Sequence, residues 1–214
     1  MFTVRQKLKQ EREINKMAAG YNGTKTPEEI RDLWATPQWV FDYFNQEFLF
    51  DLDAAANEIN AKCVNFLTEK DNSLELFWGR YLDPKGTKTV WINPPYSDIG
   101  PWCHAAANHA KDGITTGLFV PNTPDASWWP NNASEIRLIT GFENPNGRNI
   151  SGRIQFVRAD TGEKQSGNTK GSCFILFAPN TLGNMTTKYI GIEKIMPAAQ
   201  VARYNRKTTK KSKV

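Results

Sequence analysis

Thr89-Val90-Trp91-Ile92-Asn93-Pro94-Pro95-Tyr96 is the stretch that decides how this chain is read. Its first half is a short apolar run that reads as a buried strand, and the tandem prolines end it. Two prolines in a row have no backbone N–H to donate, and their fixed φ stiffens the turn. What remains at the strand end is an amide side chain, carbonyl oxygens without partners and one aromatic face. An amino group carries two N–H donors that carbonyl oxygens can accept. A flat heterocycle stacks on an aromatic side chain for about 1–3 kcal/mol. The constellation suits a nucleobase taken out of its stack; the plainer alternative is a rigid strand-to-loop turn with a packed tyrosine.

Outward from this turn, strands and helices alternate. Trp39, Val40, Tyr43, Phe44 and Phe48 keep helical spacing, Leu49 to Asp53 alternates as a strand, and Ala54-Ala55-Ala56 is expected to lead into another helix. Residues 101–111 predict a helix opening at proline. Residues 114–120 and 135–140 predict strands, with a Trp-rich turn or short helix at 124–132 between them. Residues 153–158 and 173–177 are expected to pair as an antiparallel hairpin around the polar loop 159–171. The class is therefore α/β, with a mainly parallel sheet and an antiparallel C-terminal hairpin. Residues 1–32 read as a charged N-terminal arm or helix, 33–200 as the main domain and 201–214 as a basic tail.

Composition narrows the chemistry. With 214 residues, 39% hydrophobic, 23% charged and 12% aromatic, the chain is expected to be a soluble globular protein. No apolar run reaches the length of a membrane span and no signal-peptide core follows the start, so an intracellular, cytoplasmic location is expected. Three cysteines without a C-x-x-C pair argue against a disulfide framework and a zinc site. Two histidines five apart, His104 and His109, argue against a metal site and against histidine-centred catalysis. The net charge of +5 gathers at Arg203, Arg206, Lys207, Lys210, Lys211 and Lys213. Such a tail is either a solubilising terminus or a nonspecific phosphate contact.

In open α/β sheets, ligands bind beyond the carboxyl ends of the strands, and Asn93 and Asp53 both fall at such ends. Two adjacent strand ends can hold two ligands face to face, a cofactor at Asp53 and a base at Asn93, which suits group transfer. An aromatic amine is a poor nucleophile because its lone pair is delocalised into the ring. If the Asn93 side-chain oxygen and the Pro94 carbonyl each accept one N–H, the nitrogen is drawn toward tetrahedral geometry and its lone pair is aimed at an electrophile. Orientation and electrostatics supply the gain, without a strong base. Asp53 also reads as an ordinary helix cap, and Asp51, on the same face by alternation, is the alternative ligand.

Asn93-Pro94-Pro95-Tyr96-Ser97 matches the catalytic motif of amino-group DNA methyltransferases, which use S-adenosylmethionine. The wider pattern resembles the phage-type, Dam-like DNA N6-adenine methyltransferases. Its other pieces are Trp34-Ala35-Thr36-Pro37, Phe50-Asp51-Leu52-Asp53-Ala54-Ala55-Ala56, Asn60-Ala61-Lys62, Gly152-Arg153-Ile154-Gln155-Phe156 and Lys170-Gly171-Ser172-Cys173-Phe174. The resemblance implies a Rossmann-like S-adenosylmethionine-dependent methyltransferase fold and double-stranded DNA as substrate. It implies that Asn93, Pro94, Pro95 and Tyr96 bind a flipped adenine, and that Thr36, Pro37 and the strand end at Asp53-Ala54 line the cofactor pocket. Many methyltransferases carry a glycine-rich loop where Ala54 to Ala56 stand here. The methionine end of the cofactor has no phosphate that needs a glycine cradle.

Other residues stay open between two roles. Trp34 packs on the cofactor or in the core. Asp71 approaches the cofactor's adenine or caps a surface helix. Arg148, Arg153 and Arg158, with Ser97 beside the turn, touch DNA, or the arginines sit on a solvated loop. Trp128 and Trp129 cover the core or wedge a stack. The same clamp would also accept the amino group of cytosine or an RNA base. A chain that kept the fold without catalysis would be a DNA-binding module. For a phage enzyme, the resemblance implies work in the host bacterial cytoplasm, restriction avoidance as purpose and GATC as the first sequence to test.

Overall fold

A computed structural model describes residues 34–158, 163–164 and 170–206. The expected N-terminal arm, most of the polar loop 159–171 and the lysine-rich end of the tail lie outside the described residues.

Local chemistry sets the first elements. β1 (Trp34–Ala35) runs into Thr36-Pro37, and the fixed φ of Pro37 starts α1 (Gln38–Phe48), with the Val40 N–H donating to the Pro37 carbonyl. The helix buries Val40, Phe41 and Phe44 along one stripe. Leu49 ends it at φ 51°, in the left-handed region, its N–H donating to the Asn45 carbonyl. The chain then reverses into β2 (Leu52–Asp53). The strands that follow are β3 (Asn65–Phe66), β4 (Thr89–Ile92), β5 (Thr115–Pro121), β6 (Glu135–Thr140), β7 (Phe142–Glu143), β8 (Asn149–Ile150), β9 (Val157–Arg158), β10 (Ser172–Phe177) and β11 (Thr186–Gly191). The other α-helices among the described residues are α2 (Gly100–Lys111), α3 (Ile192–Ile195) and α4 (Ala198–Asn205), and no described helix is long and apolar enough to cross a membrane.

The main sheet has seven strands in the order β11-β6-β10-β5-β4-β2-β3. All run parallel except β10, which is antiparallel to both β5 and β6. This is the expected mainly parallel, Rossmann-like sheet. Alternation along the strands sends Ile92, Leu118 and Ile175 to a core shared with α2, and Trp91, Phe119 and Phe174 to a core shared with α1. On the α1 side, Phe44 stacks on Phe174 at 4.2 Å between ring centroids. Arg137 of β6 pins the end of α1, bonding Glu47 at 2.5 and 2.6 Å and also Glu135, which Lys188 reaches at 2.6 Å.

Two expectations about elements are corrected. No helix follows Ala54 to Ala56; residues 54–64 form turns and irregular backbone. Residues 153–158 and 173–177 do not pair with each other. β9 pairs with β1, Trp34 opposite Arg158 and Ala35 opposite Val157, while β10 inserts between β5 and β6. The reason is burial: all six residues of β10 are buried, and a strand apolar on both faces belongs inside a sheet.

A hairpin in the C-terminal half is made instead by β7 and β8, around Asn144-Pro145-Asn146-Gly147. Its exit needs glycine, since a Cβ on Gly152 would lie 2.3 Å from the Thr140 carbonyl carbon. The turn also holds α4, Asn144 Nδ2 donating to the Tyr204 carbonyl at 2.6 Å and Asn146 Nδ2 to that of Asn205 at 2.9 Å. These are carbonyls that a helix end leaves without intrahelical partners. The expected tail boundary at residue 200 falls within α4.

Candidate active site

β2 and β4 are parallel neighbours with Asp53 opposite Trp91, so Asn93 stands just past the end of the neighbouring strand. A crevice opens at these ends. Ala35 and Thr36, Asp53 and Ala55, Asn60 and Lys62, and Trp91 and Asn93 line it. Its free volume is about 10 Å³, roughly the space of one water molecule. The Lys62 ammonium donates to Gln38 Oε1 at 3.1 Å, a bond that ties the loop after β2 to the start of α1.

The Asp53 carboxylate is buried and held by main-chain donors, Oδ1 by the Ala55 N–H at 3.3 Å and Oδ2 by the Lys62 N–H at 3.0 Å. Burial raises its pKa from 3.8 to about 6, and the bonds from Lys62 and Ala55 oppose that rise. Burial likewise lowers the Lys62 pKa, against the attraction of Asp53. The Thr36 hydroxyl is buried in this crevice without a hydrogen-bond partner. A buried polar group left unpaired costs about 1–3 kcal/mol, so this oxygen is a natural ligand contact.

At the turn, Pro94 is buried and Pro95 exposed. The Tyr96 hydroxyl donates to Asn93 Oδ1 at 3.2 Å, and the Tyr96 ring meets Phe156 edge-on at 5.9 Å. Burial raises the Tyr96 phenol well above its ordinary value, so it stays protonated as a donor. Ser97 is exposed beside it. Rival nucleophiles are quiet: burial pushes the Cys63 and Cys103 thiols up to about 12, and the His109 ring packs against Trp78, tilted by 33° at 4.2 Å between ring centroids.

Of the residues expected to bind a cofactor, the structure brings Thr36 and Asp53 to the crevice beside Asn93. The others are placed elsewhere. Pro37 is buried at the start of α1, and Trp34 lies in β1 with its backbone opposite Arg158. Ala54 packs in the core while Ala55 faces the crevice, because alternation turns only one of them outward. Asp51 sits at the opposite, amino end of the strand, where Oδ2 accepts from Lys88 N–H at 2.9 Å and the Thr87 hydroxyl at 3.2 Å. Asp71 is exposed and closes a capping box with Thr68 at 2.7 Å, which lowers its pKa. Among the expected DNA contacts, Arg148 and Arg153 are exposed on one cleft, and Arg158 is half-buried in β9.

Residues missed as site candidates are Ala55, Asn60, Lys62, Trp91 and Phe156. Asn60 and Lys62 belong to a segment that the resemblance singles out, and that signal could have found them. Phe156 meets Tyr96 only through tertiary packing across 60 residues of chain, which no local pattern reports.

Two strand ends meeting at one crevice, with an Asn-Pro-Pro-Tyr turn on one of them, give an α/β protein the arrangement expected of a group-transfer enzyme. A family model described as DNA N-6-adenine-methyltransferase (Dam) matches residues 23–202. A DNA N-6-adenine-methyltransferase of Escherichia phage T1 is 33% identical over 189 residues, covering 84% of this chain and 77% of the phage protein. Another, from Haemophilus phage HP1 (strain HP1c1), is 33% identical over 180 residues, 80% of this chain and 94% of its own length. The chain belongs to the DNA N-6-adenine-methyltransferase (Dam) family.

Proposed function

We infer that this chain is a DNA adenine N6-methyltransferase, with its catalytic domain over residues 33–200. One observation carries the site: the Asn93-Pro94-Pro95-Tyr96 turn lies at the carboxyl end of β4, one strand from the buried Asp53, in a chain of this family. S-adenosylmethionine is the donor this reading calls for, and when bound it supplies a methyl group on an electrophilic sulfonium. The crevice fits such a molecule chemically. A buried carboxylate and a neighbouring ammonium, Asp53 and Lys62, complement the ammonium and carboxylate of an amino acid, and the partnerless Thr36 hydroxyl offers a further bond.

The residues of the turn then divide the work on the base. The adenine leaves the duplex stack to expose its amino group. Asn93 Oδ1 and the Pro94 carbonyl each accept one N6–H, which directs the nitrogen lone pair toward the crevice. Tyr96 holds the ring by stacking. No strong base is required, because the proton departs after the nitrogen has become cationic. Ser97, Arg148, Arg153 and Arg158 are the proposed DNA contacts.

The test is incubation of the protein with duplex DNA and S-adenosylmethionine carrying a labelled methyl group, followed by mass spectrometry of the nucleosides. Labelled N6-methyldeoxyadenosine is the expected product. Label confined to cytosine, or to RNA offered in parallel, overturns the adenine assignment. Donor binding without any transfer points to a noncatalytic module.

A further inference from the structure

Beside the crevice lies a larger cavity of about 410 Å³, formed between the segment after β7 and the C-terminal helices α3 and α4. Its cations are Arg148, Arg153 and Lys164, and no aspartate or glutamate lines it. Among the described residues none of these three makes an ion pair. Three cations around one concave surface, with no ion-pair partner among the described residues, suit an anion from outside the chain. Trp39 and Tyr204 add aromatic walls, and the amides of Gln155 and Gln200 add paired donor and acceptor groups. Phosphate, a ring face and a base edge are together the surfaces of a nucleotide, and the volume lies within the range of small-ligand sites.

The position of the cavity matters as much as its lining. Gln155 precedes Phe156, whose ring meets Tyr96. Along this extended stretch Ile154 and Phe156 are buried and Gln155 is exposed, so successive residues face the Tyr96 site and the cavity in turn. Trp39 likewise stands in the first turn of α1, just after Thr36 of the crevice. DNA with one base at Asn93 therefore passes the cavity within a few residues' reach, on the order of 10 Å along extended backbone.

We propose that this cavity reads the DNA beside the flipped adenine. Arg148, Arg153 and Lys164 hold phosphates, and Gln155 and Gln200 address a base edge, as amide side chains do in bidentate pairs. This assignment rests on the methyltransferase reading above and adds a sequence-determining role to residues outside the catalytic turn.

The experiment compares wild type with Arg148→Ala, Arg153→Ala, Gln155→Ala and Gln200→Ala. It measures DNA affinity against salt concentration, and methylation of a library randomised around the target adenine. Binding of S-adenosylhomocysteine and the melting temperature of each variant report that its fold and crevice are intact. Each arginine variant is expected to weaken binding to all sequences and to make the log–log salt slope shallower by about one. At least one glutamine variant is expected to lose preference at a flanking position by about 5-fold or more. Unchanged salt slopes overturn the phosphate assignment, and an unchanged library profile in both glutamine variants overturns the reading role. If wild type itself transfers no methyl group to DNA, the enzymatic reading fails first; wild-type transfer with inert variants sinks the cavity alone.

Discussion

The Tyr96 hydroxyl donates a hydrogen bond to the Asn93 side-chain oxygen at 3.2 Å. That oxygen is the one proposed to accept an N–H from adenine, so in this state the turn satisfies itself. Entry of the base exchanges one donor for another. Tyr96→Phe keeps the ring and removes the competing donor, worth about 1 kcal/mol net. It is expected to leave kcat within a few-fold and to lower KM for DNA by up to about 5-fold. Tyr96→Ala also removes the stack, worth about 1–3 kcal/mol, and is expected to lower kcat/KM by about 5- to 150-fold. Steady-state kinetics on duplex DNA separate the two; equal losses in both variants would show that the hydroxyl is needed after the base has entered.

Asn93→Ala is expected to lower kcat by about 10²–10³-fold, the loss typical of removing one polar group aimed at a transition state. Cofactor affinity should stay within about 2-fold, because Asn93 only borders the crevice and Asp53 and Lys62 are untouched. Single-turnover transfer together with calorimetric titration of S-adenosylhomocysteine checks both halves. Joint loss of transfer and affinity would put Asn93 in the cofactor's own contacts.

Asp53, with a pKa raised to about 6 by burial, makes two pH predictions of opposite sign. For the chain alone, the folded carboxyl holds its proton at pH values where the unfolded one has lost it. Its contribution to stability is therefore full below 3.8, falls as pH rises toward about 6, and is flat above that. The total change is roughly 3 kcal/mol, since each pKa unit is about 1.4 kcal/mol. For the cationic cofactor the ionised carboxylate is the better partner, so affinity should rise with pH through about 6 and then level. Denaturant melts and titrations from pH 4.5 to pH 8, with Asp53→Asn as reference, read both trends. A reference variant with the same slopes as wild type would remove Asp53 from the account.

Arg137 links α1 to the sheet through Glu47 and Glu135, and its guanidinium lies 5.2 Å from the Phe48 ring centroid. Arg137→Met should destabilise the fold by about 3 kcal/mol, since it strands a mostly buried glutamate with only Lys188 to pair it. Adding Glu135→Leu should recover part of that loss, as apolar replacement of a buried pair often does. Chemical denaturation of the single and double variants tests the coupling. Additive losses would mean that the two side chains act independently.

What was legible in the sequence follows from where the signal was local. α1 carried helical apolar spacing, α2 opened at Pro101 and was rich in alanine, and β4, β5 and β6 each held a cluster of apolar or β-branched residues, so the bounds of α2 and of these strands were read to within a residue or two. The Asn93 turn could be read because prolines and their neighbours act within a few residues. β11 was missed because Thr186 to Tyr189 are exposed and polar at the sheet edge, leaving no apolar pattern. β1, β3 and β9 are two-residue strands fixed by their partners and not by their own composition. The same distinction explains Asp51 and Asp53. Alternation gives them one face, but only the sheet register shows that they stand at opposite ends of it.

The position of β10 has a consequence for how the molecule is made. Its slot lies between β5 and β6, which are translated well before it, and its Phe174 completes the aromatic stack on Phe44. A chain still on the ribosome holds two complementary strand edges apart until residue 177 has emerged. During that interval the edges of β5 and β6 are open to any other extended peptide. Nascent or C-terminally truncated chains are therefore the vulnerable species. Folding waits on a late, long-range insertion, a topology that makes assembly slow relative to local helix formation.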